Sequence, residues 1–281
     1  MPKILVADEA GACYGVNRAL QMVRDATRDA RGPIHTLGPL IHNPSVVGEL
    51  ESRGVGVVAS AADAPGGTLV LRTHGVTPEE EDAARASHDE VLDATCPFVI
   101  RAHNAAERLA REGYQVLILG EEGHPEVEGT LGHAPQALIV GGPEDLEGVR
   151  LARRVGLVVQ TTQSRSRLRA LVGALIGRVD ELRVVDTICE ATTLRQASAA
   201  KLAAQADAMV VVGGRMSANT RRLAQICEAS CPRTHHIEGA SELEAPWFDG
   251  AELIGVTAGA STPQSQIDEV VERIGELVGE G

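Results

Sequence analysis

The chain has 281 residues, 43% of them hydrophobic, and a formal net charge of −13. That length allows one large or two to three small domains with a substantial buried core. The acidic balance excludes the basic footprint of a nucleic-acid binder, and five aromatic residues in all leave no base-stacking platform.

The first predicted element is the strand KILVAD, which ends shortly before Cys13. Behind it no stretch approaches the eighteen or more apolar residues of a membrane span. The opening MPKILVADEA also lacks a signal-peptide layout. A cytoplasmic protein is expected, with no membrane and no nucleic acid among its partners. Cys13 leads into YGVNRALQMVRDA, where Val16, Ala19, Leu20, Val23 and Ala26 fall at helical spacing. The strand PIHTLG then ends at Gly38, the loop HNPS carries His42 into a helix, and the strand TLVLRTHG ends in a polar cluster with His74. EVLDAT is the closing strand. Cys96 follows it, and then Pro97, a residue favoured at the first helical position because its missing N–H is not needed there. Cys96 therefore stands at the mouth between a strand and a helix, a position that favours a reactive thiolate.

The same order then recurs. After Cys96 come PFVIRAHNAAERLA, VLILG, the loop HPEVEG with His124, and GLVVQTTQ with Thr161 and Thr162; LRVVDT closes before Cys189. After Cys189 come EATTLRQASAAKLAA with Thr192, MVVVGG, the loop SANT from Ser217, and LIGVTAGAS with Ser261. Gly38, Gly120 and Gly213 follow Cys13, Cys96 and Cys189 by 25, 24 and 24 residues, and His42, His124 and Ser217 stand four residues further on. One strand–Cys–helix–strand–loop–helix–strand unit thus occurs three times, with a period of roughly 80 to 95 residues.

Alternating strands and helices specify an α/β fold of three pseudo-repeated small parallel-sheet units. The boundaries fall at 14–95, 96–188 and 189–281, the last unit being completed by the N-terminal strand in 1–13. In such sheets ligands bind beyond the carboxyl ends of the strands, where all three cysteines and the polar clusters lie. Packed about a pseudo-threefold axis, the units bring the three thiols together. The competing reading, three unrelated structural thiols, gives no reason for them to recur at one topological point. Cys227 and Cys231 have no counterparts and read as packing thiols. An odd number of cysteines without an export signal argues against a disulfide framework. Arg165, Arg167 and Arg169 read as a solvated helix face.

Three thiolates suit zinc with a water in the fourth place, or an iron–sulfur cluster with one iron lacking a protein ligand. The ligand count does not choose between them. His42, His74, His124, Thr161, Thr162, Thr192, Ser217, Asn219 and Ser261 are mostly neutral hydrogen-bond donors. Together with backbone N–H groups at helix starts, such donors hold a diphosphate. Taken singly each His is more often structural; at equivalent points of a repeat they form a site. Glu126 and Glu128 add a candidate general acid and a first-turn charge complementing the helix dipole. Their spacing points them apart without saying which is which.

GACYGVNRAL, THGV, DATCP, GHPEVEGT, QTT, DTICEATTLRQ, SANTRRL and TAGASTP resemble, in order and over nearly the whole chain, the motifs of the 4-hydroxy-3-methylbut-2-enyl diphosphate reductases, the IspH/LytB family. DATCP and HPEVEGT are the specific blocks; THGV or QTT alone is weak. The resemblance implies a clover-leaf arrangement of three α/β units around a central, oxygen-sensitive 4Fe–4S cluster. Its ligands would be Cys13, Cys96 and Cys189, with the fourth iron left for the substrate's hydroxyl oxygen and a 3Fe–4S form where that iron is lost. It implies an allylic diphosphate held by His42, His74, His124, Ser217, Asn219 and Ser261. Thr161 would position the hydroxyl and a water, Thr192 would line the pocket, and Glu126, not Glu128, would be the proton source. The implied reaction is the last step of the methylerythritol phosphate isoprenoid pathway, a reductive dehydration giving isopentenyl and dimethylallyl diphosphate. No G-x-G-x-x-G follows a strand, so electrons are expected from a partner such as ferredoxin or flavodoxin. There are departures: Ser217-Ala218-Asn219 where Ser-Ser-Asn is frequent, Glu190 in place of an aromatic residue, and Leu194 in place of Asn. They leave room for a paralogue acting on a related allylic diphosphate. A non-catalytic metal-binding or redox-sensing protein would need the thiols but not Glu126 and the diphosphate donors.

Overall fold

The computed structural model describes residues 2–29 and 32–279. The chain runs β1 (Lys3–Val6), α1 (Tyr14–Asp29), β2 (Ile34–Leu37), α2 (Pro44–Ser52), β3 (Val55–Val58), β4 (Thr68–Leu71), α3 (Pro78–Ser87) and β5 (Glu90–Asp93). It continues through α4 (Pro97–Arg111), β6 (Gln115–Leu119), α5 (Pro125–Gly132), β7 (Leu138–Val140), β8 (Arg154–Val159), α6 (Arg165–Leu175) and β9 (Glu181–Val185). The last stretch holds α7 (Glu190–Ala203), β10 (Ala208–Val212), α8 (Ala218–Glu228), β11 (Thr234–Ile237), β12 (Leu253–Ala258) and α9 (Gln264–Gly279).

Three four-stranded, wholly parallel sheets result, in the orders β3-β2-β4-β5, β7-β6-β8-β9 and β11-β10-β12-β1. Strand for strand the three orders correspond, with β1 taking the place that β5 and β9 hold in the other sheets. The sequence patterns located the inner and closing strands. They did not locate the edge strands β3, β7 and β11, which lie in segments read only as loops and helices.

Two compact units divide the chain. The first comprises Met1–Val16, His42–Val46 and Glu190–Gly281; the second comprises Asn17–Ile41 and Val47–Cys189. In the first, β10 is buried throughout, and its alternating residues feed two cores, as a parallel sheet covered on both faces requires. Val210 and Val212 pack with Ile254, Val256 and the α9 residues Ile267, Val270 and Ile274. Met209 and Val211 pack with Leu202, Leu223, Cys227 and Cys231. In the second unit Leu117, Leu119, Leu157 and Val159 meet Leu168, Leu171 and Leu175 of α6. Val116, Ile118 and Val158 meet Ala102, Ala106 and Leu109 of α4.

Helix starts are built by side chains that satisfy otherwise orphaned N–H groups. Thr77 and Glu80 form a capping box at α3, with Pro78 in its first turn. Ser164 caps α6 and Ser217 caps α8. Among the described residues, no helix is long and apolar enough to cross a membrane.

Candidate active site

Each of the three recurring cysteines occupies the turn between a closing strand and the next helix. The backbone N–H of Cys13 donates to Ala260 O, that of Cys96 to Thr73 O and that of Cys189 to Thr161 O, each at 3.0 Å. Every acceptor lies two residues beyond the end of the neighbouring strand, β12, β4 or β8. One backbone bond therefore fixes each thiol at the same point of its sheet. All three cysteines are partly exposed, whereas Cys227 and Cys231 are buried, and burial pushes the Cys227 thiol up to about 12. Cys13 belongs to the first unit, and Cys96 and Cys189 to the second. Among the described residues, no three His, Cys, Asp or Glu side chains are grouped closely enough to hold a metal ion. The donor set itself fits an iron–sulfur cluster: three accessible thiols in equivalent turns, distinct from the two thiols spent on packing.

In the second unit the two glutamates stand in different surroundings. His124 caps α5, its Nδ1 accepting the Glu126 N–H at 3.1 Å. With Nδ1 as acceptor, the neutral ring carries its proton on Nε2 as a donor. The His124 ring meets that of His74 edge-on, centroids 5.7 Å apart. Glu126 is turned inward and is only 3% exposed. Its Oε1 accepts from Thr161 N at 2.6 Å and its Oε2 from Thr161 Oγ1 at 2.9 Å. Burial raises its pKa to about 7, against both Thr161 bonds, which favour the charged form. Glu128 faces the other way and accepts from Gly123 N. Thr161 thus holds the Glu126 carboxylate with its N–H and hydroxyl, and the Cys189 N–H with its carbonyl.

In the first unit Ser261 Oγ donates to His42 O at 3.2 Å, and Asn43 Nδ2 donates to Ser261 O at 2.9 Å. The Ser217 N–H bonds to Gly214 O. Gly214 lies so close under His42 that a Cβ there would stand 2.5 Å from the His42 carbonyl oxygen, so only glycine allows this approach. His42, Ser217 and Ser261 are thereby brought into one neighbourhood at the start of α8. Asn219, in the first turn of that helix, is buried, and neither its Oδ1 nor its Nδ2 has a hydrogen-bond partner. A buried amide left unpaired costs about 1–3 kcal/mol, a cost that a bound polar ligand would remove. Thr192 is buried in the first turn of α7.

Comparison with known proteins identifies the family. The model of the LytB protein family matches residues 4–275. The chain belongs to the LytB family. Among LytB relatives, the 4-hydroxy-3-methylbut-2-enyl diphosphate reductase of Geobacter sulfurreducens is 48% identical over 277 residues, covering 98% of each chain. That of Aquifex aeolicus is 43% identical over 281 residues, covering 99% of this chain and 97% of its own. A solved structure of (E)-4-hydroxy-3-methyl-but-2-enyl diphosphate reductase, described as the terminal enzyme of the non-mevalonate pathway, is 42% identical with a TM-score of 0.72, covering 98% of this chain and 100% of that one. The E-1-hydroxy-2-methyl-but-2-enyl-4-diphosphate reductase of Plasmodium falciparum is 26% identical with a TM-score of 0.92, covering 98% of this chain and 88% of that one.

The departures from the LytB motifs fall in different surroundings. Glu190 and Leu194 are exposed, whereas Ala218 is buried between Ser217 and Asn219. Two positioning residues escaped the sequence reading. Asn43 ties the His42 loop to Ser261 and also donates to Gln266 Oε1 at 3.0 Å. Arg195, buried on α7, donates to Gly11 O at 2.7 Å and so holds the loop that carries Cys13. The signal for Arg195 was a lone guanidinium facing the apolar side of an Ala-rich helix.

Proposed function

We propose that the protein is a 4-hydroxy-3-methylbut-2-enyl diphosphate reductase, catalysing reductive dehydration of that allylic diphosphate to isopentenyl and dimethylallyl diphosphate in the cytoplasm. Family membership supports the activity, since the curated LytB relatives carry this name over nearly the full length. The single observation within the chain that carries the reading is the buried Glu126–Thr161 pair, tied through Thr161 O to the turn of Cys189.

Cys13, Cys96 and Cys189 would hold a 4Fe–4S cluster, which when bound supplies one-electron transfer and a Lewis-acidic iron for the substrate hydroxyl. Ser217, Asn219, Ser261 and His42 on the first unit, and His74 and His124 on the second, are the donors for the diphosphate. Asn219 supports this role because its unpaired amide offers hydrogen bonds that the fold leaves unmade. Thr161 holds the Glu126 carboxyl in one orientation. With a pKa of about 7, Glu126 is protonated in a large fraction of molecules at neutral pH, which makes it an effective general acid. It gives its proton to the departing hydroxide, which leaves as water. The two electrons come from a partner protein such as ferredoxin or flavodoxin.

The roles separate in steady-state kinetics. Glu126→Gln should lower kcat by about 10²–10⁴-fold with little change in KM, the size expected for loss of a general acid. Asn219→Leu should raise KM with kcat nearly retained, because the diphosphate is bound equally in ground and transition states. The reverse assignment of effects would contradict the proposal. A second reading, a related allylic diphosphate as substrate, is favoured only by Ala218, which removes a hydroxyl from the buried first turn of α8.

A further inference from the structure

Helix α4 starts one residue beyond Cys96 and lines a surface cavity of about 380 Å³. Pro97, Ile100, Arg101, Asn104 and Arg108 form one stripe of that helix at helical spacing, and Val185 of the edge strand β9 completes the rim. No carboxylate is among its lining residues. Nearby acidic side chains are engaged with other arginines, Asp186 with Arg165 and Glu112 with Arg183, and Glu107 stands about 100° round the helix from Arg108. Ile100 is an exposed apolar side chain at this face. Arg101 donates to Asp186 O at 3.1 Å, three residues before Cys189. The patch is therefore flanked by the turns of two of the three candidate cluster thiols.

The internal repeat provides a comparison. At the positions of Pro97, Ile100, Arg101, Asn104 and Arg108, helix α1 has Tyr14, Asn17, Arg18, Gln21 and Asp25, and helix α7 has Glu190, Thr193, Leu194, Ala197 and Lys201. Those two stripes each sum to zero charge, while that of α4 carries two arginines and no acid. On a chain of net charge −13, which repels acidic macromolecules at long range, this is a local exception. An apolar centre rimmed by arginine is the composition of a protein-binding face, and a small one suits a transient electron-transfer encounter.

We infer that the Ile100–Arg101–Arg108 face of α4 with Val185 is the docking surface for an acidic one-electron carrier protein, which delivers electrons beside Cys96 and Cys189. The inference rests on the reductase reading above. One turnover consumes substrate, two electrons and two protons and yields product and water. Two reduced carriers are each oxidised by one electron, in successive encounters at this face.

The test uses the anaerobically reconstituted full-length protein and a purified acidic ferredoxin. Binding of oxidised ferredoxin is followed by calorimetry at low and high salt. Turnover is measured with reduced ferredoxin and, separately, with reduced methyl viologen. The Arg101→Glu/Arg108→Glu variant should weaken ferredoxin binding and lower the ferredoxin-supported rate tenfold or more. Its viologen-supported rate should equal that of the unsubstituted protein. Arg108→Glu alone, which leaves the Arg101 bond to Asp186 O intact, should show a smaller loss of the same kind, and Arg169→Glu on α6 should show none. Unchanged ferredoxin binding and rate in the double variant would overturn the inference. So would an equal fall with both donors, which would place the arginines in the enzyme's own machinery. Absence of viologen-supported turnover in the unsubstituted protein would instead overturn the reductase reading.

Discussion

Glu126 owes its chemistry to the start of α5, where the His124 cap turns it inward against Thr161 while Glu128 faces outward. Three consequences follow from its pKa of about 7. Turnover should fall as pH rises through that value, because the proton donor is lost; a pH–kcat profile shows this as a descending limb. Thr161→Val removes the hydroxyl that favours the carboxylate, so the limb should move to higher pH. Stability follows the same titration. Between the ordinary 4.5 and about 7 the folded state binds more protons than the unfolded chain, so stability declines as pH rises across that window. Burial lowers the pKa of His103 to about 4, which acts in the opposite sense between about 4 and 6.5. Urea midpoints of the unsubstituted protein minus those of Glu126→Gln therefore isolate the Glu126 contribution, and that difference should shrink as pH rises from 4.5 to 7. Ala218→Ser restores a hydroxyl beside the unpaired Asn219; one added hydrogen bond of about 1 kcal/mol should lower KM for the diphosphate roughly fivefold.

The loop between β4 and α3 is shaped by a wedge from α4. Gly75, next to His74, has φ +78°, and a Cβ there would stand 2.5 Å from His103 Cε1. The buried His103 ring also lies against Gly129 of α5 and stacks on His133 at 4.4 Å. It thus sets the spacing of the two segments that carry His74 and Glu126. Gly75→Ala should destabilise the protein by about 2 kcal/mol or more, from left-handed backbone strain and the clash. Adding His103→Ala should relieve the clash but not the strain, and a double-mutant cycle of urea midpoints measures that coupling. Much at this scale was legible in the sequence. Runs such as VLILG and MVVVGG announce buried central strands, and the Cys–Pro and Ser-x-Asn turns announce helix starts. The edge strands β3, β7 and β11 were not legible, unlike the closing strands at the opposite edges: β7 has three residues, β3 is VGVV and β11 is THHI. An edge strand needs less apolar surface, and β11 spends its histidines on other contacts, His235 stacking on Trp247 at 4.0 Å. The wedge was illegible too, because His103 and Gly75 meet only through tertiary packing.

Across the whole molecule, one strand–turn–helix design recurs in three sheets, and in each a cysteine N–H bonds to the carbonyl two residues beyond the neighbouring strand. The repeat was visible in sequence because the strands, glycines and cysteines keep their spacing; the preference for Glu126 over Glu128 as candidate proton donor came only from family resemblance, and the structure adds that Glu126 is the more buried of the two. The parts that break the repeat are Glu126 in the first turn of α5, unpaired Asn219 in the first turn of α8, and the basic stripe of α4. The most direct test of the account is the oxidation of reduced methyl viologen by anaerobically reconstituted protein on addition of 4-hydroxy-3-methylbut-2-enyl diphosphate. The account predicts substrate-dependent oxidation of two viologens per product formed, abolished in Cys96→Ser and reduced at least a hundredfold in Glu126→Gln. Protein with a full cluster that oxidises no viologen on addition of this substrate would contradict it.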